Sequence, residues 1–174
     1  AAELGADIAW KPILVGGVFN TVNRTVYDSR ANPNPLKAAY MLKDLAAWAN
    51  LYGLRIVFPP EVFPVNSVKC MRGGFVALDE GKLVPYATAA FEAYWGDNRD
   101  IAREEVLADI ASRAGLERQR FFAAIETDSC KARLRANTDE LMARGGFGSP
   151  TMFVGSAMFF GNDRLPLVRA ALEA

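Results

Sequence analysis

The chain of 174 residues contains no histidine, and this absence excludes several common kinds of active site. Ser-His-Asp and Cys-His catalysis need an imidazole, as do histidine general bases and the commonest transition-metal sites. Only two cysteines are present, Cys70 and Cys130, and they form neither a CxxC redox pair nor zinc-finger spacing. This pattern favours two isolated buried thiols, with a disulfide between them as the weaker alternative, and it excludes a disulfide-stapled secreted scaffold.

Charge imbalance and long hydrophobic runs are also missing. Twenty Lys and Arg residues balance twenty Asp and Glu residues, so the charge favours neither nucleic acid nor a membrane surface as a partner. No apolar stretch approaches the roughly 20 residues needed to span a bilayer, which predicts a soluble protein. What is present is an ordinary globular composition with 51% hydrophobic residues, which suits one compact unit.

Residue patterns at the start of the chain indicate that it begins inside a larger fold. Residues 1–5 resemble the last turn of a helix that ends at Gly5, so we expect further residues to precede Ala1 in the natural protein. Ala6–Pro12 is predicted to be a short strand, and the segment from Asn20 to Pro35 is predicted to be a polar loop.

A long helical block is predicted for the middle of the chain. Asn34 at the N-cap and Pro35 at the first helical position predict a helix from Pro35 to Tyr52 that stops at Gly53. After the extended stretch Arg55–Pro60, about eighty residues from Asn66 to Arg144 are predicted to be almost entirely helical. The helices predicted there are Asn66 or Ser67 to Asp79, Val84–Trp95, Asp100 to about Gly115, Arg118–Glu126, and Thr127 or Asp128 to Gly145.

A β-hairpin is the clearest pattern near the end of the chain. Thr151–Val154 and Ala157–Phe160 are apolar runs separated only by Gly155-Ser156, a spacing typical of a tight type II′ turn. Asn162 is then expected to cap a final helix from Asp163 to about Leu172, with Leu165, Val168, Ala171 and Leu172 facing inward.

The order of these elements predicts the fold class once a strand and a helix are placed before Ala1. The order then becomes β-α-β, a helical insertion, and β-β-α, which is an α/β thioredoxin-like fold interrupted by a large all-helical insertion. We predict that residues 1–60 form the first thioredoxin-like part and a linker, residues 61–145 the insertion, and residues 146–174 the second thioredoxin-like part.

Nearly the whole chain resembles one protein family in the order of its motifs. Phe147–Leu165 (FGSPTMFVGSAMFFGNDRL) is similar to the end of the 2-hydroxychromene-2-carboxylate isomerases, which are grouped with DsbA-like proteins and kappa-class glutathione transferases. Shorter motifs follow in the family order: Trp10-Lys11-Pro12, Val15–Phe19, Pro35-Leu36-Lys37 with Tyr40 and Asp44, Phe63–Ser67 with Arg72, Tyr94-Trp95-Gly96, and Arg99-Asp100-Ile101.

The resemblance implies a glutathione site beside the hairpin. It makes Pro150 a cis-proline and lets the backbone of Ser149 pair with the cysteinyl part of glutathione, because a cis bond exposes the edge of the preceding residue. Asn162 and Asp163 would receive the γ-glutamyl end, since a helix N-terminus binds carboxylates and Asp163 can pair with the ammonium. The competing interpretation gives these two residues only helix-capping and dipole-offsetting roles.

The resemblance also implies a second group of ligand contacts, before the long helix. Lys37 would contact the glycine carboxylate of glutathione or the anionic substrate, with a solvated lysine as the alternative. Either Asn32 or Asn34 would contact glutathione, while turn formation and capping are their ordinary roles. The serine that activates the thiol in these families would lie before Ala1, so we name no catalytic residue.

Two further sets of residues have both a functional and a structural interpretation. Trp48, Tyr52, Tyr94 and Trp95 could line a pocket for an aromatic substrate, but their helical spacing favours core packing. Arg72 follows the family order, and an interdomain salt bridge explains it equally well.

The function implied by the resemblance is a glutathione-dependent isomerisation in bacterial aromatic catabolism of the naphthalene-degradation type. The enzyme would interconvert 2-hydroxychromene-2-carboxylate and trans-o-hydroxybenzylidenepyruvate as a cytoplasmic homodimer, with glutathione as cofactor. The missing histidine fits this chemistry, because a thiolate nucleophile needs no imidazole. Two alternatives stay open: a kappa-type glutathione transferase, and a DsbA-like thiol oxidoreductase or peptide-binding protein.

Overall fold

A computed structural model describes residues 2–174, and most of them are helical. The α-helices are α1 (Val15–Val22), α2 (Thr25–Ala31), α3 (Pro35–Tyr52), α4 (Val68–Asp79), α5 (Leu83–Phe91), α6 (Glu104–Arg113), α7 (Arg118–Ile125), α8 (Asp128–Ala143) and α9 (Leu165–Glu173). The strands are β1 (Thr151–Val154) and β2 (Ala157–Phe160). Single 3₁₀ turns cover Ala2–Leu4 and Asn162–Arg164, and a π-helical turn, Glu92–Gly96, continues α5.

The main hydrophobic core lies among α4, α5, α6 and α7. Tyr86, Leu107, Ile110 and Phe121 are fully buried there, and the rings of Tyr86 and Phe121 lie 5.9 Å apart. The Tyr86 hydroxyl donates a hydrogen bond to the backbone carbonyl of Cys70 at 2.9 Å, so the buried polar group is satisfied. The predicted helical block is therefore a packed unit with a core of its own.

Helix α8 connects this block to the segment before α1. The backbone N–H of Leu14 donates to Oγ1 of Thr138 at 3.0 Å, and Nδ2 of Asn137 donates to the carbonyl of Pro12 at 3.1 Å. Lys11 forms an ion pair with Glu140 one turn further along α8. These contacts hold the segment that leads into α1 against α8.

The hairpin is confirmed with the predicted register. Thr151 pairs with Phe160 and Val154 pairs with Ala157, so the loop is the two residues Gly155-Ser156. Gly155 has φ +56°, and Ser156 is not among the residues with positive φ, as a type II′ turn requires. Beyond the strands, the N–H of Gly161 donates to the carbonyl of Pro150 at 3.1 Å, which extends the pairing by one step.

Most of the predicted helix boundaries in the middle of the chain are confirmed. Helix α3 runs from Pro35 to Tyr52 and is followed by Gly53 at φ +64°, a conformation that favours glycine at a helix end. Helices α4, α5, α7 and α8 lie within a few residues of their predicted ranges. Helix α6 starts later than predicted, because Asp100 accepts from the N–H of Ala102 in a separate turn before Glu104.

Two predictions for the first part of the chain were wrong. Residues 6–12 form no strand, because no strand within residues 2–174 lies beside them to complete a ladder. The segment from Asn20 to Pro35 is not a loop, since α1 and α2 occupy most of it. The ring of Tyr27 packs edge-on against Phe19 at 6.5 Å, and its hydroxyl donates to Asn20 at 2.8 Å, so these helices are held by contacts with each other.

Helices α3 and α9 leave apolar side chains exposed. On α3 only Ala49 is buried, while Leu36 is 83% exposed and Tyr40 is 68% exposed. On α9 no residue is buried, and Leu165 and Leu172, which were predicted to face inward, are exposed. Among residues 2–174, no helix combines the length and the apolar character that crossing a membrane requires.

Candidate functional site

The loop from Phe147 to Pro150 leads into β1 and carries two of the predicted site residues. The Ser149–Pro150 peptide bond is cis, as the resemblance implies. Ser149 is exposed, and neither its backbone N–H nor its carbonyl has a hydrogen-bond partner within residues 2–174. Free backbone groups of this kind can pair with an extended, peptide-like ligand.

The turn after β2 carries two more predicted residues and lies beside this loop. The hydrogen bond from Gly161 to Pro150 brings Asn162 next to the Ser149 segment. Asn162 does not cap the final helix as predicted. It begins the 3₁₀ turn Asn162–Arg164, its side chain makes no capping hydrogen bond, and α9 starts only at Leu165.

Asp163 is already engaged by a neighbour. Its Oδ2 accepts a hydrogen bond from Nη1 of Arg164 at 2.6 Å, and both side chains are about half exposed. An exposed pair of adjacent side chains is held weakly, so a ligand ammonium can compete for the carboxylate. The structure thus places Asp163 beside the loop but does not leave its charge unpaired.

The corner between α2 and α3 carries the remaining predicted residues. Oδ1 of Asn34 accepts hydrogen bonds from the backbone N–H groups of Leu36 at 3.0 Å and Lys37 at 3.2 Å, which confirms its capping role. The Asn32 side chain and the Lys37 ammonium are exposed and have no hydrogen-bond or ion-pair partner in the described part of the chain. Asn32 and Lys37 therefore have more capacity for a ligand than Asn34.

The structure links these two groups of residues only indirectly. Within residues 2–174, no hydrogen bond or ion pair joins the α2–α3 corner to the 147–150 loop or to the 161–164 turn. The link is the α1–α2 pair, because Nδ2 of Asn23 donates to the carbonyl of Phe147 at 3.0 Å. A Cβ atom added at Gly148 would lie 2.9 Å from the Phe160 ring and 3.9 Å from Phe19, so α1 closely approaches the loop.

Arg30, which lies on α2, was missed by the sequence analysis. Its guanidinium stacks on the ring of Phe19 at 5.7 Å and on the ring of Phe63 at 5.2 Å. It forms no ion pair within the described residues, so its charge is stabilised by aromatic faces. No local motif identifies such a residue, because Phe63 is more than thirty positions away in the sequence.

Of the four aromatic residues considered for a substrate pocket, Tyr94 and Trp95 pack with the core, as their spacing favoured, whereas Tyr52 is 56% exposed. Tyr94 is buried, its hydroxyl donates to the carbonyl of Val62 at 2.9 Å, and burial raises the pKa of its phenol. Trp95 stacks on Phe58 at 6.1 Å. Trp48 and Tyr52 stack on each other along α3 at 5.8 Å.

Arg72 does not make the interdomain salt bridge considered for it. Its Nη1 lies 3.5 Å from both the carbonyl of Ile125 and Oε2 of Glu126, and all three residues belong to the helical block. Its Nε is buried and has no hydrogen-bond partner.

The two cysteines are free, buried thiols, which confirms the favoured interpretation. Burial raises the pKa of the Cys70 thiol to about 11 and also raises that of Cys130. A thiol that stays protonated at neutral pH is a poor nucleophile, so the structure gives neither cysteine a role in thiol chemistry.

Comparison with known proteins finds one matching family model and several relatives of the chain. The family model described as the DsbA-like thioredoxin domain matches residues 1–173. A 2-hydroxychromene-2-carboxylate isomerase of Pseudomonas putida is 31% identical over 137 residues, which cover 79% of this chain and 66% of the relative. The enzyme of that name from Pseudomonas sp. (strain C18) is 32% identical over 137 residues, covering 79% of this chain and 63% of the relative. The chain therefore spans just under two thirds of the length of these two curated relatives.

A solved structure shows the same fold over nearly the whole chain. A 2-hydroxychromene-2-carboxylate isomerase structure superimposes with a TM-score of 0.78 at 28% identity, covering 99% of this chain and 83% of that one. Together with the family match, this confirms the predicted fold class, a thioredoxin-like fold interrupted by a helical insertion.

Proposed function

The chain belongs to the DsbA-like thioredoxin domain family, and from this premise we propose that it acts as a glutathione-dependent isomerase. Its substrate would be 2-hydroxychromene-2-carboxylate, and its product trans-o-hydroxybenzylidenepyruvate. The observation that carries the proposal is the likeness to isomerases over most of the chain. The free backbone groups of Ser149 beside the 161–164 turn support it.

The described residues fit glutathione at several points. Ser149 would pair through its backbone with the cysteinyl residue of the tripeptide, since both of its main-chain groups are free. Lys37 would hold a carboxylate, because its exposed ammonium lacks a partner in the described chain and lies in the first turn of α3, where the helix dipole also favours an anion. Asn32 would donate a hydrogen bond from its side-chain amide to glutathione.

The opposite end of the tripeptide would lie at the 161–164 turn. Asp163 would exchange Arg164 for the ligand ammonium, and Arg164 would then be free to meet the neighbouring γ-glutamyl carboxylate. Bound glutathione supplies a thiolate, the nucleophile that reversible isomerisation of a conjugated substrate requires. The contribution of this chain is to orient the tripeptide by its two ends and its backbone.

An isomerisation assay tests the proposal directly. Purified protein is mixed with 2-hydroxychromene-2-carboxylate, and the absorbance change to the product is followed with and without glutathione. We expect turnover only with glutathione, and no turnover at saturating glutathione would contradict the proposal. Conjugation of chlorodinitrobenzene without isomerisation would favour the kappa-type transferase alternative.

Paired variants of α3 test the role of Lys37. Lys37→Gln should weaken glutathione binding, measured by calorimetry, by about tenfold, the effect of losing one charge-assisted hydrogen bond. Lys43→Gln is the matched control, since Lys43 is an exposed cation of the same helix. Equal affinity in both variants would remove Lys37 from the site. The homodimer and the cytoplasmic location stay predictions, and sedimentation velocity would test the first.

A further inference from the structure

A cleft lies where α1, α4 and α8 meet, and its lining includes none of the residues named above for glutathione. Its volume is about 360 Å³, which is within the range of small-molecule sites in proteins. Its lining combines an apolar floor, three cations from α4 and α8, and one carboxylate from α8.

The floor of the cleft is apolar and firmly held. Leu134 of α8 is buried, and Leu14 and Val68 belong to the same cluster. Thr138 beside them uses its hydroxyl fully, because it accepts from the N–H of Leu14 at 3.0 Å and donates to the carbonyl of Leu134 at 2.7 Å. The floor therefore offers a ligand hydrocarbon surface and no free hydroxyl.

Arg72 provides a charge that the protein compensates only partly. Its side chain is 18% exposed, and its carboxylate partner, Glu126, lies 3.5 Å away and also binds Lys69 at 2.9 Å. The buried Nε has no hydrogen-bond partner at all. A mostly buried guanidinium with so little pairing is costly, and a nearby anion would stabilise it.

Two cations of α8 line the same cleft. Arg135 is exposed and forms no hydrogen bond or ion pair with any residue in the range 2–174. Lys131 pairs with Asp128 at 3.2 Å, but the side chain of Asp128 is 99% exposed, so this pair contributes little. Asp139 is the single carboxylate in the lining, which leaves the cleft with an excess of positive charge.

We propose that this cleft binds a small organic carboxylate with an apolar body. The carboxylate would lie among Arg72, Lys131 and Arg135, and the hydrocarbon would cover the floor formed by Leu14, Val68 and Leu134. Guanidinium groups suit this ligand class, because their planar donors match the two oxygens of a carboxylate. An inorganic anion would satisfy the charges but would leave the apolar floor uncovered.

Methyl NMR with octanoate as the probe tests the proposal. On titration we expect the methyl signals of Leu14, Val68 and Leu134 to shift together and to saturate, and the affinity to fall as salt is added. At the same concentration, 1-octanol, which has the same chain without the charge, should shift them little. Shifts of equal size with both compounds, or octanoate shifts confined to the exposed side chains of α3, would overturn the proposal.

Charge-removing substitutions in the lining of the cleft should change the affinity for octanoate in opposite directions. Arg135→Gln should weaken octanoate binding about tenfold, and Asp139→Asn should strengthen it severalfold, since it removes the opposing charge. Lys43→Gln, outside the cleft, should change nothing. All three positions are exposed, so the variants should fold. Unchanged affinity in Arg135→Gln would overturn the proposal, as would an equal loss of affinity for glutathione in that variant.

Discussion

The substitution Gly73→Ala sets helix propensity against packing, and the structure decides which effect is larger. Gly73 lies inside α4, where alanine would favour the helix by about 1 kcal/mol. A Cβ atom there would lie 2.6 Å and 2.7 Å from two ring atoms of Phe121, and closer still to the Tyr86 hydroxyl. Both neighbours are fully buried and belong to the main core, so neither can swing away into solvent.

Packing therefore outweighs propensity at this position. Overpacking of a filled core costs about 1–3 kcal/mol. Displacing Tyr86 also endangers its hydrogen bond to Cys70, which contributes about 1 kcal/mol. After the gain in propensity is subtracted, we expect Gly73→Ala to lower the free energy of unfolding by about 2 kcal/mol. For a domain of this size, the melting temperature should fall by about 4–8 °C.

Urea unfolding followed by circular dichroism measures this change, with Gly16→Ala as the matched control. Gly16 is also helical, but a Cβ atom there would meet nothing within 4 Å, so alanine should be neutral or stabilising by up to about 1 kcal/mol. Adding Tyr86→Phe to Gly73→Ala should cost less than Tyr86→Phe alone, since it removes the nearest clashing atom. A Gly73→Ala protein as stable as the parent would refute the reasoning.

Three smaller predictions concern thiols, an ion pair and a helix cap. Cys70 and Cys130 should resist a thiol reagent at pH 8 and react fully in denaturant. An unfolded thiol ionises near pH 9.0, whereas the pKa of folded Cys70 is about 11, so the free energy of unfolding should fall as the pH rises above 9. Urea titrations at several pH values would measure this fall, and Cys70→Ala should flatten it. The Arg133 guanidinium lowers the pKa of Asp79, so this pair should stabilise the fold above pH 3.8, and the effect should be lost as the pH falls through the lowered pKa. Because both side chains are about half exposed, Asp79→Asn should cost under about 1 kcal/mol of stability at pH 7. Thr127→Ala removes the side-chain cap of α8 and should cost about 1 kcal/mol in the same urea assay, whereas no loss would show that Cys130 finds another acceptor.

The helices in the middle of the chain were predictable because their signals are local. Asn34 and Pro35 start α3, and Gly53 ends it, through groups that lie within a few residues of each boundary. The same holds for Thr127, whose hydroxyl accepts from the N–H of Cys130. Capping depends on neighbours in sequence, so a pattern of residue types is enough to predict it.

The segments before α3 were mispredicted because their structure depends on distant residues. A strand at residues 6–12 needs a neighbouring strand, and the polar sequence after Phe19 gives little sign of the two helices found there. Helix α1 is held by Thr138, which binds Leu14 and lies so near Gly17 that an added Cβ would be 3.5 Å from its methyl group. Contacts across more than a hundred residues leave no local pattern.

The two halves of the predicted glutathione site are positioned by different physical causes. Counting outward from the two-residue turn pairs Val154 with Ala157 and Thr151 with Phe160, and the next step places Pro150 opposite Gly161. Ser149 and Asn162 must then be neighbours whenever the hairpin keeps its register, and a slip of one residue would turn the side chains of the slipped strand to the other face.

No such rule places Lys37. Its distance from Ser149 depends on α1 and α2, which contact the loop through Asn23 and Phe19. A ligand that spans both halves would therefore depend on the helix pair that the sequence pattern did not predict.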